Sequence, residues 1–207
     1  MMQIRQRILG ELDTNCYIIS DPASHKALVI DPADNAEEIF VALKEDALAV
    51  VGVVLTHAHF DHMLAAEAVC RATGAPLYVG VGDADAMTDP IRNLSGLFTP
   101  DKPITIADFN PIRAGDRIAV GTLSFVVMET PGHTPGCICL FGNGTLFAGD
   151  TLFAGSIGRL DFPGGDPAAM RTSLLHLMQL PPETKVFSGH GPATTIGHEA
   201  AYNPYLR

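Results

Sequence analysis

An apolar run, Val50 to Leu55, passes without a break into Thr56-His57-Ala58-His59-Phe60-Asp61-His62, and that junction constrains the chain more than any other feature. The run is short and rich in valine, as expected of a strand buried on both faces. After His62 a helical pattern continues to Thr73, where Gly74 supplies a stop signal. The spacing predicts a strand, then a histidine-bearing loop, then a helix over Asp61–Thr73. In extended backbone, residues two apart point the same way, so His57, His59 and Asp61 converge. Asp61 sits where the helix begins, and the turn starting there swings His62 to an adjacent position. Three imidazoles and a carboxylate in six residues are donors that suit zinc, iron or manganese. A histidine-rich surface loop would need neither this spacing nor this setting.

Further period-2 or continuous apolar runs predict strands at Gln3–Leu9, Cys16–Ser20, Ala27–Asp31, Val50–Thr56, Arg117–Val120, Leu123–Glu129, Ile138–Phe141, Thr145–Ala148 and Lys185–Ser188. Helical patterns cover Ala36–Glu45 and Pro167–Gln179, the second opened by Asp166-Pro167. Weaker helical patterns run from Gly82 to Thr88 and begin again near Gly197. Between Asp89 and Asn110, a stretch rich in Pro, Asn, Asp and Thr reads as a long irregular connection, of the kind that lies over active sites. This order suits two mixed β-sheets packed face to face with helices outside. Periodicity alone supports α/β or α+β and goes no further.

The partners of the histidine loop come one per strand end. Thr130-Pro131-Gly132-His133-Thr134-Pro135-Gly136 puts His133 in a turn after Leu123–Glu129. Phe147-Ala148-Gly149-Asp150 and Ser188-Gly189-His190-Gly191 place Asp150 and His190 just beyond two other strands. Each is flanked by glycine, which permits close backbone approach. One such residue would be only a turn residue, but four sites at four strand ends form a constellation.

This pattern, HxHxDH followed by distant His, Asp and His, resembles the metal signature of the metallo-β-lactamase superfamily across essentially the whole chain. Asp31-Pro32 stands after an early strand, where the family commonly has an acidic residue outside the metal ligands. The resemblance implies an αββα sandwich of two mixed β-sheets flanked by helices, with two divalent metal ions, zinc first and iron or manganese next. It implies His57, His59 and His133 on one ion, Asp61, His62 and His190 on the other, and Asp150 bridging. True β-lactamases of the superfamily typically lack the complete HxHxDH, and many use cysteine in the second site, where this chain has none. The segment Gly149 to Asp166, which includes Gly158-Arg159-Leu160-Asp161-Phe162, looks like the glyoxalase II-like (hydroxyacylglutathione hydrolase-like) group. It is most similar to short single-domain members without a C-terminal helical glutathione-binding domain.

The length suits one large domain or two small ones, and the resemblance implies a single hydrolase domain over residues 1–207. Hydrophobic residues make up 47% and charged residues 17%, enough for a substantial core. The formal charge of −10 works against nucleic-acid partners, which need a clustered basic surface. No apolar run is long enough to cross a bilayer, and the first residues lack a signal-peptide pattern, so a cytoplasmic location is expected. Cys16, Cys70, Cys137 and Cys139 show no CxxC spacing and are expected to be small core residues.

The activity implied is hydrolysis of a small acyl thioester, whose thiol has a pKa near 8.5 and leaves as thiolate without a strong acid. Asp61 would ligate one metal and orient or deprotonate the nucleophile. Thr56 and Asp31 are candidates for fixing histidine tautomers. Arg159 either meets a substrate carboxylate or pairs with Asp161 or Asp166, the latter being favoured. His25, His176 and His198 fit no motif. A persulfide dioxygenase-like enzyme with one iron and a lactone or other ester hydrolase of the superfamily are the alternatives. The acyl group, the thiol, the metal and the oligomeric state are not written in the sequence.

Overall fold

The computed structural model describes residues 2–206. The first half of the chain supplies strands β1 (Gln3–Leu9), β2 (Thr14–Asp21), β3 (Lys26–Ile30), β4 (Ala49–Leu55), β5 (Leu77–Gly80) and β6 (Asn110–Ile112). They pair in chain order into a six-stranded sheet, antiparallel through β3 and parallel from β3 to β6. Between them run helices α1 (Ala36–Glu45), α2 (Phe60–Met63), α3 (Ala66–Thr73) and α4 (Ser95–Phe98). The second half supplies β7 (Arg117–Val120), β8 (Leu123–Glu129), β9 (Ile138–Gly142), β10 (Thr145–Gly149), β11 (Lys185–Ser188) and β12 (Thr194–Thr195). These form a second six-stranded sheet in the order β12-β11-β10-β9-β8-β7, antiparallel except for β10 with β11. Helices α5 (Pro167–Leu177) and α6 (Ile196–Tyr202) complete the chain's regular structure.

Strict alternation along the strands builds four layers. On β2 and β3, Cys16, Ile18, Ala27 and Val29 join the core under α1 and α3, whereas Tyr17, Ile19, Leu28 and Ile30 face the other sheet. On β9 and β10, Ile138, Leu140 and Phe147 enter that same central layer, and Cys139, Leu146 and Ala148 pack beneath α5. The inner strands are thus covered on both faces, which is why β3, β4, β9 and β10 read as apolar runs, whereas β1 and β7 stay partly exposed. Met170, Leu174 and Leu177 are buried on one face of α5, and Met178 just beyond it packs partly buried against the same cluster. This is the expected αββα sandwich of mixed sheets.

The departures from expectation have local causes. The helix predicted over Asp61–Thr73 breaks between Met63 and Ala66, where the Ala65 N–H goes to the Pro32 carbonyl at 2.9 Å instead of to its own helix. The pattern from Gly82 to Thr88 forms only two short 3₁₀ turns, Val81–Asp83 and Ala86–Thr88. Strands β5, β6 and β12 have four, three and two residues, too few to display a period. The irregular connection is interrupted by α4, and α5 ends at Leu177, two residues before Gln179. Among the described residues no helix is long and apolar enough to cross a membrane.

Candidate metal centre

The site lies where the ends of β4, β8, β10 and β11 meet at one edge of the sandwich. β4 delivers the His57–His62 loop, and the turns after β8, β10 and β11 deliver His133, Asp150 and His190. Close backbone approach is required at two of these turns. Gly149 has φ of 47° at a bulge in β10, and a Cβ there would collide with the Thr56 side chain. A Cβ on Gly189 would overlap the Asp150 carboxylate and the His62 ring. Those two glycines let the loops of opposite sheets touch.

All seven residues predicted from the sequence come together. His59 Nδ1 lies 3.1 Å from His57 Nε2 and 2.8 Å from His133 Nε2. Beside this triad, His62 Nε2 and His190 Nε2 lie 3.5 Å and 3.4 Å from Asp61 Oδ2. Asp150 stands between the two groups. Its Oδ1 is 3.5 Å from His62 Nε2, and its Oδ2 is 3.6 Å from both His133 Nε2 and His190 Nε2. His62 Nε2 and Asp150 Oδ1 are buried without any hydrogen-bond partner. Orphaned buried donors and acceptors are costly, and a shared cation would satisfy both. The donor set fits divalent metal ions in two adjoining triads, His57/His59/His133 and Asp61/His62/His190.

The outward faces of the rings are held by the protein. His133 Nδ1 donates to the Arg159 carbonyl at 2.7 Å, and His190 Nδ1 lies 3.1 Å from the Leu12 carbonyl. His62 Nδ1 faces Asp31 Oδ2 at 3.0 Å. Asp31 has φ of 49°, left-handed backbone that aspartate tolerates better than most residues. Its carboxylate also accepts from the Thr56 N–H and hydroxyl, both at 2.7 Å, and Thr56 Oγ1 is 3.2 Å from His57 Nδ1. Asp31 and Thr56 thus touch the rings they were expected to orient.

The profile of the metallo-β-lactamase superfamily matches residues 9–190. The chain belongs to this superfamily. The probable metallo-hydrolase YqgX of Bacillus subtilis (strain 168) is 33% identical over 210 residues, 99% of this chain and 98% of that protein. A hydroxyacylglutathione hydrolase of Fuscovulum blasticum is 35% identical over 180 residues, 86% of this chain and 62% of that protein. Among solved structures, the BLEG-1 B3 metallo-β-lactamase is 37% identical with a TM-score of 0.92, covering 99% of each chain. TTHA1623 in a di-iron-bound form is 35% identical with a TM-score of 0.86, covering 98% of this chain and 100% of its own. An intact second triad without cysteine therefore does not by itself separate this chain from relatives described as β-lactamases.

Electrostatics explain why this superfamily site calls for cations. Burial and the neighbouring rings hold His57 well below the ordinary imidazole pKa, and burial with His133 pushes His59 down to about 3. Burial also disfavours a charged His62, but Asp61, Asp31 and Asp150 outweigh it and raise its pKa to about 10. Asp61 is held well below the usual carboxylate range. Its burial acts in the opposite direction and is outweighed by His62, His190 and the Thr14 hydroxyl, which donates to it at 2.9 Å. Without metal, a proton on His62 would offset only part of the charge of the three surrounding carboxylates, and a divalent cation would displace it.

Several supporting residues carry no sequence motif. Buried Asp83 accepts from the Ala58 N–H at 2.9 Å, the Thr134 hydroxyl at 2.8 Å and the Gly136 N–H at 2.7 Å, clasping the His57 and His133 loops together. Asn15 Nδ2 donates to the Ser188 and Gly191 carbonyls, both at 2.9 Å, and Tyr17 Oη donates to the Ser188 carbonyl at 2.7 Å. These bonds tie β2 to the His190 turn across the two sheets. The side chain of Arg159 forms a fork with Asp161, two bonds of 2.7 Å, and lies 3.9 Å above the Phe162 ring. Of its two expected partners, Asp161 is the one chosen. His25 and His176 are exposed and, among the described residues, belong to none of the groups able to hold a metal, while His198 packs on Tyr202.

Proposed function

We propose that this chain is a dimetal hydrolase of small acyl thioesters. Membership of a metallo-hydrolase superfamily supplies the coarse activity. The observation carrying the dimetal part of this reading is the doubled donor set around Asp150, whose two oxygens face ring nitrogens of both triads, and the likeness to a hydroxyacylglutathione hydrolase is what favours thioesters. In this reading His57, His59 and His133 hold one ion, Asp61, His62 and His190 the other, and Asp150 both. Histidine-rich donors favour zinc, and the di-iron form of TTHA1623 makes iron its rival. Ions held there supply Lewis-acid polarisation of a carbonyl and acidify water they bind.

The chain's own residues would do the rest. Asp61, fixed by the Thr14 hydroxyl and ionised at neutral pH, would orient the attacking water or take its proton. Asp31 and Thr56 keep the rings from turning. Hydrolysis forms one C–O bond and breaks the C–S bond, and the thiolate leaves without an acid because its pKa lies close to neutrality.

Two complete triads support hydrolysis over oxygen chemistry at one iron. β-Lactam hydrolysis is the second reading, favoured by the likeness to BLEG-1. Elemental analysis of purified protein, with initial rates on thioester, lactone, β-lactam and phosphodiester panels, decides between them. Fastest turnover of thioesters by a two-metal protein is expected. Thioesters left intact while a β-lactam, lactone or phosphodiester turns over would overturn the reading, as would oxygen uptake with a persulfide by a one-iron protein.

A further inference from the structure

We infer that the cavity over the metal centre is an apolar acyl pocket, and that the preferred substrates are uncharged thioesters with a hydrocarbon or aryl acyl group. The inference rests on the thioesterase reading and narrows it. A cavity of about 400 Å³ opens directly above His59, Asp61, His133, Asp150 and His190. One wall is a chain of aromatic rings. Phe60 stacks on Phe98 with centroids 5.4 Å apart, and Phe98 meets Phe162 edge-on at 6.1 Å. Leu12, Phe153 and Ile157 also line the cavity. Leu12 and Phe98 are 50% and 54% exposed, so their apolar carbon is open to whatever occupies the cavity.

Charge points the same way. Arg159 is the only lysine or arginine lining this cavity among the described residues, and its guanidinium is already forked onto Asp161. An exposed pair is weak, so that pairing alone would not turn a substrate carboxylate away. A second cavity of about 420 Å³ adjoins the first, sharing Leu12, Phe60, Asp61 and Phe98. Apart from Asp61, which the proposed centre uses as a metal ligand, its charged lining is Glu11 and Asp34, with no basic residue. An anionic arm close to the thioester would therefore meet carboxylates when it left the aromatic pocket, on a chain whose formal charge is −10. A neutral apolar acyl group meets aromatic rings and aliphatic carbon along this lining.

The test uses metal-loaded protein and thioesters of N-acetylcysteamine with acetyl, butanoyl, hexanoyl, phenylacetyl and succinyl groups. In parallel, S-alkyl N-acetylcysteamine thioethers, which cannot be hydrolysed, are titrated by calorimetry. Each added methylene should raise kcat/KM and thioether affinity about two- to fourfold until the cavity is filled. The succinyl thioester should trail the butanoyl one at least tenfold. Phe98→Ala and Phe162→Ala should flatten both chain-length series. Thioether affinity independent of chain length, or a succinyl or glutathione thioester outrunning its neutral counterpart, would overturn the pocket while leaving the thioesterase reading intact. A clear thioether series with no turnover of any thioester would support the pocket and overturn that reading.

Discussion

Asp83→Ala would take the acceptor from three buried donors at once: the Ala58 N–H, the Thr134 hydroxyl and the Gly136 N–H. Each donor left unpaired away from water costs about 1–3 kcal/mol. Part of that loss is returned because a carboxylate no longer has to be buried, the burial that raises the Asp83 pKa. A net destabilisation of about 2–5 kcal/mol remains. For a chain of this length about 2–4 °C of melting temperature is lost per kcal/mol, so Tm should fall by about 4–20 °C. Asp83→Asn should be nearly as harmful. Asp83 Oδ1 accepts from Gly136 while Oδ2 accepts from Ala58 and Thr134, so either orientation of an amide sets its NH₂ against a backbone N–H. The clasp joins the loops carrying His57, His59 and His133, so affinity for the first metal should fall too. Thermal melts of metal-free and metal-loaded protein, with calorimetric metal titration, read both effects. Melts within about 1 °C of the parent protein and an unchanged first metal affinity would refute the clasp.

Asp150→Ala should lower metal content below two ions per chain and abolish turnover, because one carboxylate serves both triads and shields the ions from each other; two tightly held ions in the variant would refute the shared role. Chelation should lower Tm and metal readdition restore it, since ligand at a hundred times its Kd stabilises by about 2.7 kcal/mol; an unchanged melt with the metals shown to be gone would refute the coupling. The Asp21 carboxylate accepts from the Thr122 N–H at 2.8 Å, which, with Ser24 and Ala23, holds its pKa at about 2, below its ordinary value of 3.8. Its stabilising effect is therefore complete above pH 3.8 and is lost as pH falls through about 2. Asp21→Asn should flatten the acid limb of Tm against pH over that range, and a parent-like slope would count against the assignment.

The seven-residue cluster was legible in the order of residues, while the order of elements only suited two packed sheets and the resemblance to the superfamily supplied the four layers. Period-2 runs show which strand residues enter a core, and HxHxDH with three glycine-flanked partners carries its chemistry in spacing that survives without coordinates. Both are local properties: a strand's alternation and a loop's donors are set by neighbours in the chain. Thr56 was also legible, because it joins β4 to the histidine loop, whereas Asp31 was singled out through the resemblance to the superfamily. Packing settled whatever depends on partners far along the chain. Asp83 gains its role from residues 25, 51 and 53 positions away, and Asn15 reaches Ser188 across 173. The break after Met63 comes from a Pro32 carbonyl on another loop, and Arg159 had two carboxylates to choose from until the fold selected Asp161. A hydrogen bond stabilises whichever donor and acceptor the packing brings together, and no local pattern records that meeting.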